Sequence, residues 1–325
     1  MTFTKTAGAI ATVAIAGLAL AACSSDSGNG GGSSASGASI CYVTAAESHA
    51  YVTPANQGFD EAAAAAGATV TRLSQEFDVQ TGTEQLTTCI SQGADGIVLW
   101  PLDPQAYIPG MIAAADAGIP LIIINSPMDA AAEEFYASFT GPDVYEEGQL
   151  SADALNEALG GEGNVVIIAG QAGNGTTIGR TDGFTDRLAE LGSKIEVLQV
   201  VNADFDQQKA LEASRDLITR FGDDIDGVYS NDDTMALGFI DAWAESGRAV
   251  ADIPPIVGIN GQVQAFDLIK TGSYYATIVQ SPYEDGKLAA ETIVKLINGE
   301  TVDKRLPIPL TVVTAENVET ETPAF

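Results

Sequence analysis

The 325-residue chain holds one histidine, three cysteines, two tryptophans and only 14 Lys+Arg against 44 Asp+Glu. The shortage of cations excludes nucleic acid as a partner, because phosphate neutralisation needs clustered Lys and Arg. A formal charge of −30 also disfavours polyanionic substrates and anionic lipid surfaces, which are repelled before contact. With one imidazole, most metal centres and every Ser-His-Asp scheme would run through His49. What is left is binding or catalysis on neutral or cationic small molecules, with no metal site and no cofactor expected.

The chain starts with features of export. Lys5 precedes an apolar run, Ala7 to Leu20, that is too short to span a bilayer comfortably. It ends in Leu20-Ala21-Ala22-Cys23, which resembles the lipobox of bacterial lipoproteins. In those proteins cleavage leaves the Cys as first residue, carrying a diacylglyceryl group; a general signal peptide with an incidental Cys is the plainer alternative. Residues 1–22 are thus expected to be a signal peptide, and 23–39 a lipidated tether. Ser24 to Ser39 has 12 Gly or Ser in 16 positions, cannot offset its ordering entropy by burial, and reaches about 22 Å as a random coil. The expected location is outside the cell, lipid-anchored to the outer face of the cell membrane.

From Ile40, short β-rich runs such as Ile40–Thr44, Ala68–Leu73, Gly96–Trp100, Leu121–Asn125 and Tyr136–Phe139 alternate with Ala-rich or amphipathic stretches. Six more follow, the last at Tyr275–Gln280 and Leu310–Val313. Continuous apolar runs such as Leu121 to Ile124 suit strands buried on both faces beneath helices. The pattern predicts an α/β protein of doubly wound parallel sheets, with too many strands for one sheet and hence two lobes. Asp103-Pro104 predicts the N-cap and first residue of a helix that Ala117-Gly118 closes.

Cys41 starts the first strand, and Cys89 lies near the end of the second helix. In a 2-1-3 strand order that helix crosses over strand one and runs antiparallel to it, which brings the two together. A disulfide Cys41–Cys89 is expected in an exported protein, the alternative being two buried thiols.

Gly170 to Thr177 has the spacing of a phosphate-binding loop, but Thr176 stands where the Lys would be. The better reading is a glycine-rich turn approaching a small ligand. Asp223, Asp224 and Asp226 lack the rest of a calcium loop and read as a solvated turn. Glu47-Ser48-His49 are sequence neighbours, which diverge in space, so His49 is a candidate contact rather than a catalyst. Trp100, Asn125, Asn231 to Asp233, Asn260 and Gln280 each end or follow an apolar run. In a doubly wound fold such ends converge on one rim, lined here by amides, a carboxylate and a ring.

Several segments carry a resemblance: Ala203-Asp204-Phe205-Asp206, Asn231-Asp232-Asp233-Thr234-Met235-Ala236-Leu237-Gly238, Val257 to Gly261, Ala276 to Gln280, and Arg180 before Gly183-Phe184. They resemble the sugar-binding type I periplasmic binding proteins, closest to the ribose-binding branch, over nearly all of the chain after Ile40. The resemblance implies two lobes joined by a three-crossing hinge near Thr140, Ser281 and Lys304, with a ligand in the cleft between them. The N-terminal lobe would comprise 40–140 plus 281–304, and the C-terminal lobe 141–280 plus 305–325. It also implies delivery of the ligand to the permease of an ABC transporter.

Carried over by position, the ligand-binding residues are His49, Tyr51, Trp100 and Asn125 from the first lobe, and Phe205, Asp232, Asn260 and Gln280 from the second. Ser48, Ser126, Ile178 and Arg180 are secondary candidates, Arg180 aligning with an arginine that braces the lobe. Where the family often has Asn, this chain has His49, Trp100 and Asp232; Asn125 and Ser126 replace an Asp-Arg pair. Fewer charged hydrogen bonds and a broad apolar face point to a neutral polyhydroxylated ligand, a monosaccharide, polyol or cyclitol. A receptor that signals instead of transporting, a regulator of the lac-repressor type and a secreted glycosidase are the alternatives. The leader and charge oppose the regulator, and a rim with Asp232 alone opposes the paired carboxylates of a glycosidase.

Overall fold

The computed structural model describes residues 37–325 together with Met1, Thr2 and Thr4. Most of the expected leader, Cys23 and the tether as far as residue 36 lie outside the described residues. The tether ends earlier than expected: Ser39 is already a strand residue, its N–H donating to Asp95 Oδ2 at 2.7 Å. Among the described residues no helix is long and apolar enough to cross a membrane.

The first half runs β1 (Ser39–Thr44), α1 (Val52–Ala65), β2 (Thr69–Ser74), α2 (Val79–Ser91), β3 (Gly96–Leu99), α3 (Ile108–Asp116), β4 (Leu121–Ile124) and β5 (Ser138–Gly141). The second runs α4 (Val144–Leu159), β6 (Glu162–Ala169), α5 (Gly175–Glu190), β7 (Lys194–Asn202), α6 (Gln207–Phe221), β8 (Gly227–Ser230), α7 (Asp233–Glu245), β9 (Ile256–Asn260), α8 (Val263–Thr271) and β10 (Ala276–Val279). The chain then returns through α9 (Pro282–Ile297), β11 (Arg305–Pro307) and β12 (Thr311–Thr314). Two six-stranded sheets result, ordered β11-β5-β4-β3-β1-β2 and β12-β10-β9-β8-β6-β7. Within each, the first strand lies between the second and third, the expected doubly wound order.

Three sequence expectations need correction. The passage expected near Lys304 falls after Pro307, because Arg305–Pro307 pairs in parallel with Phe139–Gly141 of the first sheet. This strand was not anticipated; three residues ending in proline carry no periodic signal. The sheets are also not wholly parallel, since β12 runs antiparallel to β10. Only Ile308 to Leu310 separate β11 from β12, too few for the long crossover that a parallel neighbour requires. Finally, α3 begins at Ile108, not Pro104. Asp103 Oδ1 instead accepts the N–H groups of Gln105 and Ala106, both at 2.8 Å, closing a separate turn.

Apolar strand residues bury on both faces of each sheet. In the first, Ile40, Val98 and Ile122 meet α1 and α9, while Val43, Ile97 and Ile123 meet α2 and α3. The helices α1 and α9 approach so closely that a Cβ on Gly58 would strike the Tyr283 carbonyl, and one on Gly286 the Ala55 carbonyl. Helices α4 and α5 repeat the arrangement in the second lobe with Gly148 and Gly183. Cys41 and Cys89 are joined in a disulfide with Cα atoms 5.7 Å apart, where α2 passes over β1.

Candidate functional site

A cavity of 440 Å³ lies between the lobes. Its lining follows the carboxyl ends of strands in both sheets. His49, Tyr51, Trp100 and Asn125 come from the first lobe, and Phe205, Asp232, Asn260 and Gln280 from the second; Arg180 joins them from α5. All eight principal candidates and one secondary candidate therefore meet in one place.

The other three do not line it. Ser48 is exposed. Ser126 is buried, but the N–H of Ser126 bonds back to Ile124 O at 2.7 Å in a tight turn after Asn125, and its Oγ finds no partner among the described residues. Ile178 is 44% exposed. Thr176 and Arg180 line the cavity from α5, and at 100° per residue position 178 points to the opposite side of the helix.

Local structure explains how each group is aimed. Asn125 has φ +64° and Asn260 φ +115°, backbone that Asn accepts more readily than other non-glycine residues. Asn125 Nδ2 donates to Asp285 Oδ2 at 2.9 Å, which leaves its Oδ1 toward the cavity. Behind Asn260, the Asp233 carboxylate accepts from Gly261 N, Gln262 N, Tyr274 Oη and Thr277 Oγ1 at 2.7–3.1 Å and pins the turn. Asp232 caps α7 through Met235 N at 2.8 Å, while its Oδ2 is buried with no partner among the described residues. Gln280 Nε2 donates to Asn260 Oδ1 at 2.8 Å and its Oε1 accepts from Tyr51 Oη at 3.0 Å.

Arg180 both braces and faces the cavity. Its Nε donates to Glu147 Oε2 and its Nη1 to Asn231 O, each at 2.7 Å, with both charged side chains buried. Burial pushes the Glu147 carboxyl up against the pull of Arg180. Burial also raises Asp232 to about 6 and Asp285 to about 7. The same cause holds His49 below its ordinary value. His49 Nδ1 accepts the Tyr51 N–H at 3.3 Å, so a neutral ring carries its proton on Nε2 as a free donor.

Several lining residues were not identified from the sequence: Phe77, Leu102, Asn174, Thr176, Val52 and Ala45. A signal for Phe77 existed. Glu76-Phe77-Asp78 after β2 repeats Asp204-Phe205-Asp206 after β7, the topologically equivalent strand. Both dipeptides before the Asp lie at left-handed φ, +51° and +57° in one lobe, +53° and +59° in the other. Asp78 and Asp206 then cap α2 and α6. The two Phe rings face each other across the lobes, centroids 6.4 Å apart and 29° from parallel. Gln171 Nε2 to Phe77 O (3.1 Å) and Asn174 Nδ2 to Leu102 O (3.2 Å) add interlobe hydrogen bonds. Phe325, whose carbonyl accepts from Val263 N at 2.9 Å, sets its ring edge-on to Tyr51 at 5.9 Å.

Residues 40–301 match the family described as "Periplasmic binding protein domain". A xylitol-binding protein of Mycolicibacterium smegmatis is 30% identical over 277 residues, 85% of this chain and 77% of the relative. An ABC transporter solute-binding protein of Agrobacterium vitis, solved with D-fucose, superposes with a TM-score of 0.81 at 27% identity, covering 87% of this chain and 97% of that one. A solute-binding protein of Bacillus halodurans, solved with myo-inositol, gives 0.80 at 28% identity, with the same two coverages.

Proposed function

We propose that this chain, which belongs to the periplasmic binding protein family, captures a neutral sugar, polyol or cyclitol between its lobes and delivers it to the permease of an ABC transporter. It is a binding protein and not an enzyme. In this proposal the chain works outside the cell, held to the membrane by a lipid on Cys23. The observation that carries the binding role is a single cavity lined by side chains from both lobes. A ligand that touches both lobes at once stabilises their closed arrangement and no other. Relatives named for xylitol, and structures holding D-fucose or myo-inositol, support the ligand class. The two ring nitrogens, amides and hydroxyls of the lining suit a neutral ligand, and Asp232 disfavours an anionic one.

The test is thermal unfolding of the domain from residue 37 onward against sugars, polyols, cyclitols, nucleosides and amino acids. A ligand present at about 1,000 times its dissociation constant adds roughly 4 kcal/mol to folded-state stability. A shift confined to sugars, polyols or cyclitols is expected. A shift with nucleosides or amino acids alone would refute the ligand class and leave the cleft standing. Membrane fractionation of wild type and Cys23→Ala tests the anchor: release of the variant into the medium is expected.

A further inference from the structure

The two lobes contribute unlike walls to the cavity. The first lobe brings Phe77, Trp100, Leu102, Val52 and the ring of Tyr51. Its polar groups are largely consumed: the Tyr51 hydroxyl goes to Gln280 and Asp285, and the Asn125 amide N–H to Asp285. Among the described residues, only His49 Nε2 and Asn125 Oδ1 on that lobe's cavity-lining side chains have no protein partner. The second lobe retains four such atoms, Thr176 Oγ1, Arg180 Nη2, Asp232 Oδ2 and Asn260 Nδ2, and one large apolar side chain, Phe205.

A sugar hydroxyl both donates and accepts. Six free side-chain atoms cannot satisfy every hydroxyl of a fully oxygenated hexose, and two-thirds of them sit on one lobe. A hydroxyl directed at the first lobe meets carbon unless it reaches His49 or Asn125. Leaving such a group buried and unpartnered costs about 1–3 kcal/mol. Stacking on one ring could spare the hydroxyls at a ligand's edge, but the neighbours of Trp100 here are Phe77, Leu102 and Val52.

We propose that the cleft selects a ligand with a deoxygenated carbon, a CH₃ or CH₂, held against Phe77, Trp100 and Leu102 while its hydroxyls face Arg180, Asp232 and Asn260. The proposal rests on the sugar-and-polyol reading above and narrows it to deoxy-sugars and deoxy-polyols. An added hydroxyl in an apolar pocket is rejected by about 100-fold at best, so the preference is measurable.

Titration calorimetry with matched pairs tests it: D-fucose and D-galactose, L-rhamnose and L-mannose, 6-deoxy-D-glucose and D-glucose, 2-deoxy-D-ribose and D-ribose. In any pair that binds, the deoxy member should bind about 10- to 100-fold more tightly. Trp100→Asn and, separately, Phe77→Asn should shrink that ratio by favouring the parent sugar, so a folding failure in one variant leaves the other. Equal or tighter binding of the parent by the wild type would overturn the deoxy preference and leave the sugar-binding role intact. Binding of no pair member, with myo-inositol or xylitol bound tightly, would also overturn it. Binding of none of these, together with no response to the wider panel, would overturn the underlying reading itself.

Discussion

The hydroxyl of Tyr51 lies 3.0 Å from Gln280 Oε1 and 3.3 Å from Asp285 Oδ2, so one phenol ties α1 of the first lobe to the strand end where the chain crosses back from the second. All three side chains are buried. Tyr51→Phe keeps the ring but leaves two buried acceptors short of a donor. A loss of about 1–3 kcal/mol in unfolding free energy is expected from urea titration, with weaker ligand binding because Gln280 is no longer held.

Arg180 and Glu147 form a buried pair at 2.7 Å. Removing one charge strands the other, so Arg180→Met and Glu147→Gln should each cost about 3–5 kcal/mol. The double variant should recover much of that loss in stability. Ligand binding should stay impaired in it, because Arg180 also faces the cavity. Chemical denaturation and calorimetry on the same three variants separate the two roles.

Stability should depend on pH in a direction set by buried carboxyls. Burial raises Asp232 to about 6, and Asp233 and Asp285 to about 7, whereas an unfolded Asp titrates near about 3.9. The folded chain holds these protons where the unfolded chain has lost them. Their stabilisation is therefore complete below about pH 4 and is lost as pH rises through 6 and 7. His49, lowered by burial, acts oppositely: its contribution is present above about pH 6.5 and fades as pH falls. Three groups against one predict a higher urea midpoint at pH 5 than at pH 8. Asp285→Asn should shrink that difference, whereas Asn at exposed Asp252 should leave it unchanged.

The facing rings of Phe77 and Phe205 belong to different lobes. If their contact helps retain the ligand, Phe77→Ala and Phe205→Ala should each speed its dissociation in stopped-flow measurements. Their effects should be less than additive, with a coupling of about 0.5–1.5 kcal/mol. Full additivity would show that each ring acts on the ligand alone.

The apolar runs made both sheets legible, since a strand such as Leu121–Ile124, buried on both faces, has few other ways to fold. The family resemblance supplied the site residues that follow those strands. It failed at Ile178 and Ser126, where alignment gives a position but not a direction: one lies across the helix from the cavity, the other beyond a tight turn. Phe77 went unread because its role depends on two successive left-handed residues, a conformation that Glu and Phe do not announce. Asp285 was read as part of a helix start, and only the packing of α9 beneath α1 makes it a partner for Tyr51 and Asn125.

The first sheet takes its edge strand from Arg305–Pro307 and one of its covering helices from Pro282–Ile297. During synthesis, the lobe that starts first thus lacks its edge strand until residue 307 has emerged, after nearly all of the second lobe. An arrested chain ending at β10 would carry an uncovered face of β3 and β4, where Ile293 and its neighbours should lie. Neither lobe can be cut out as one continuous stretch of sequence, and a fragment of either should need its missing piece supplied in trans.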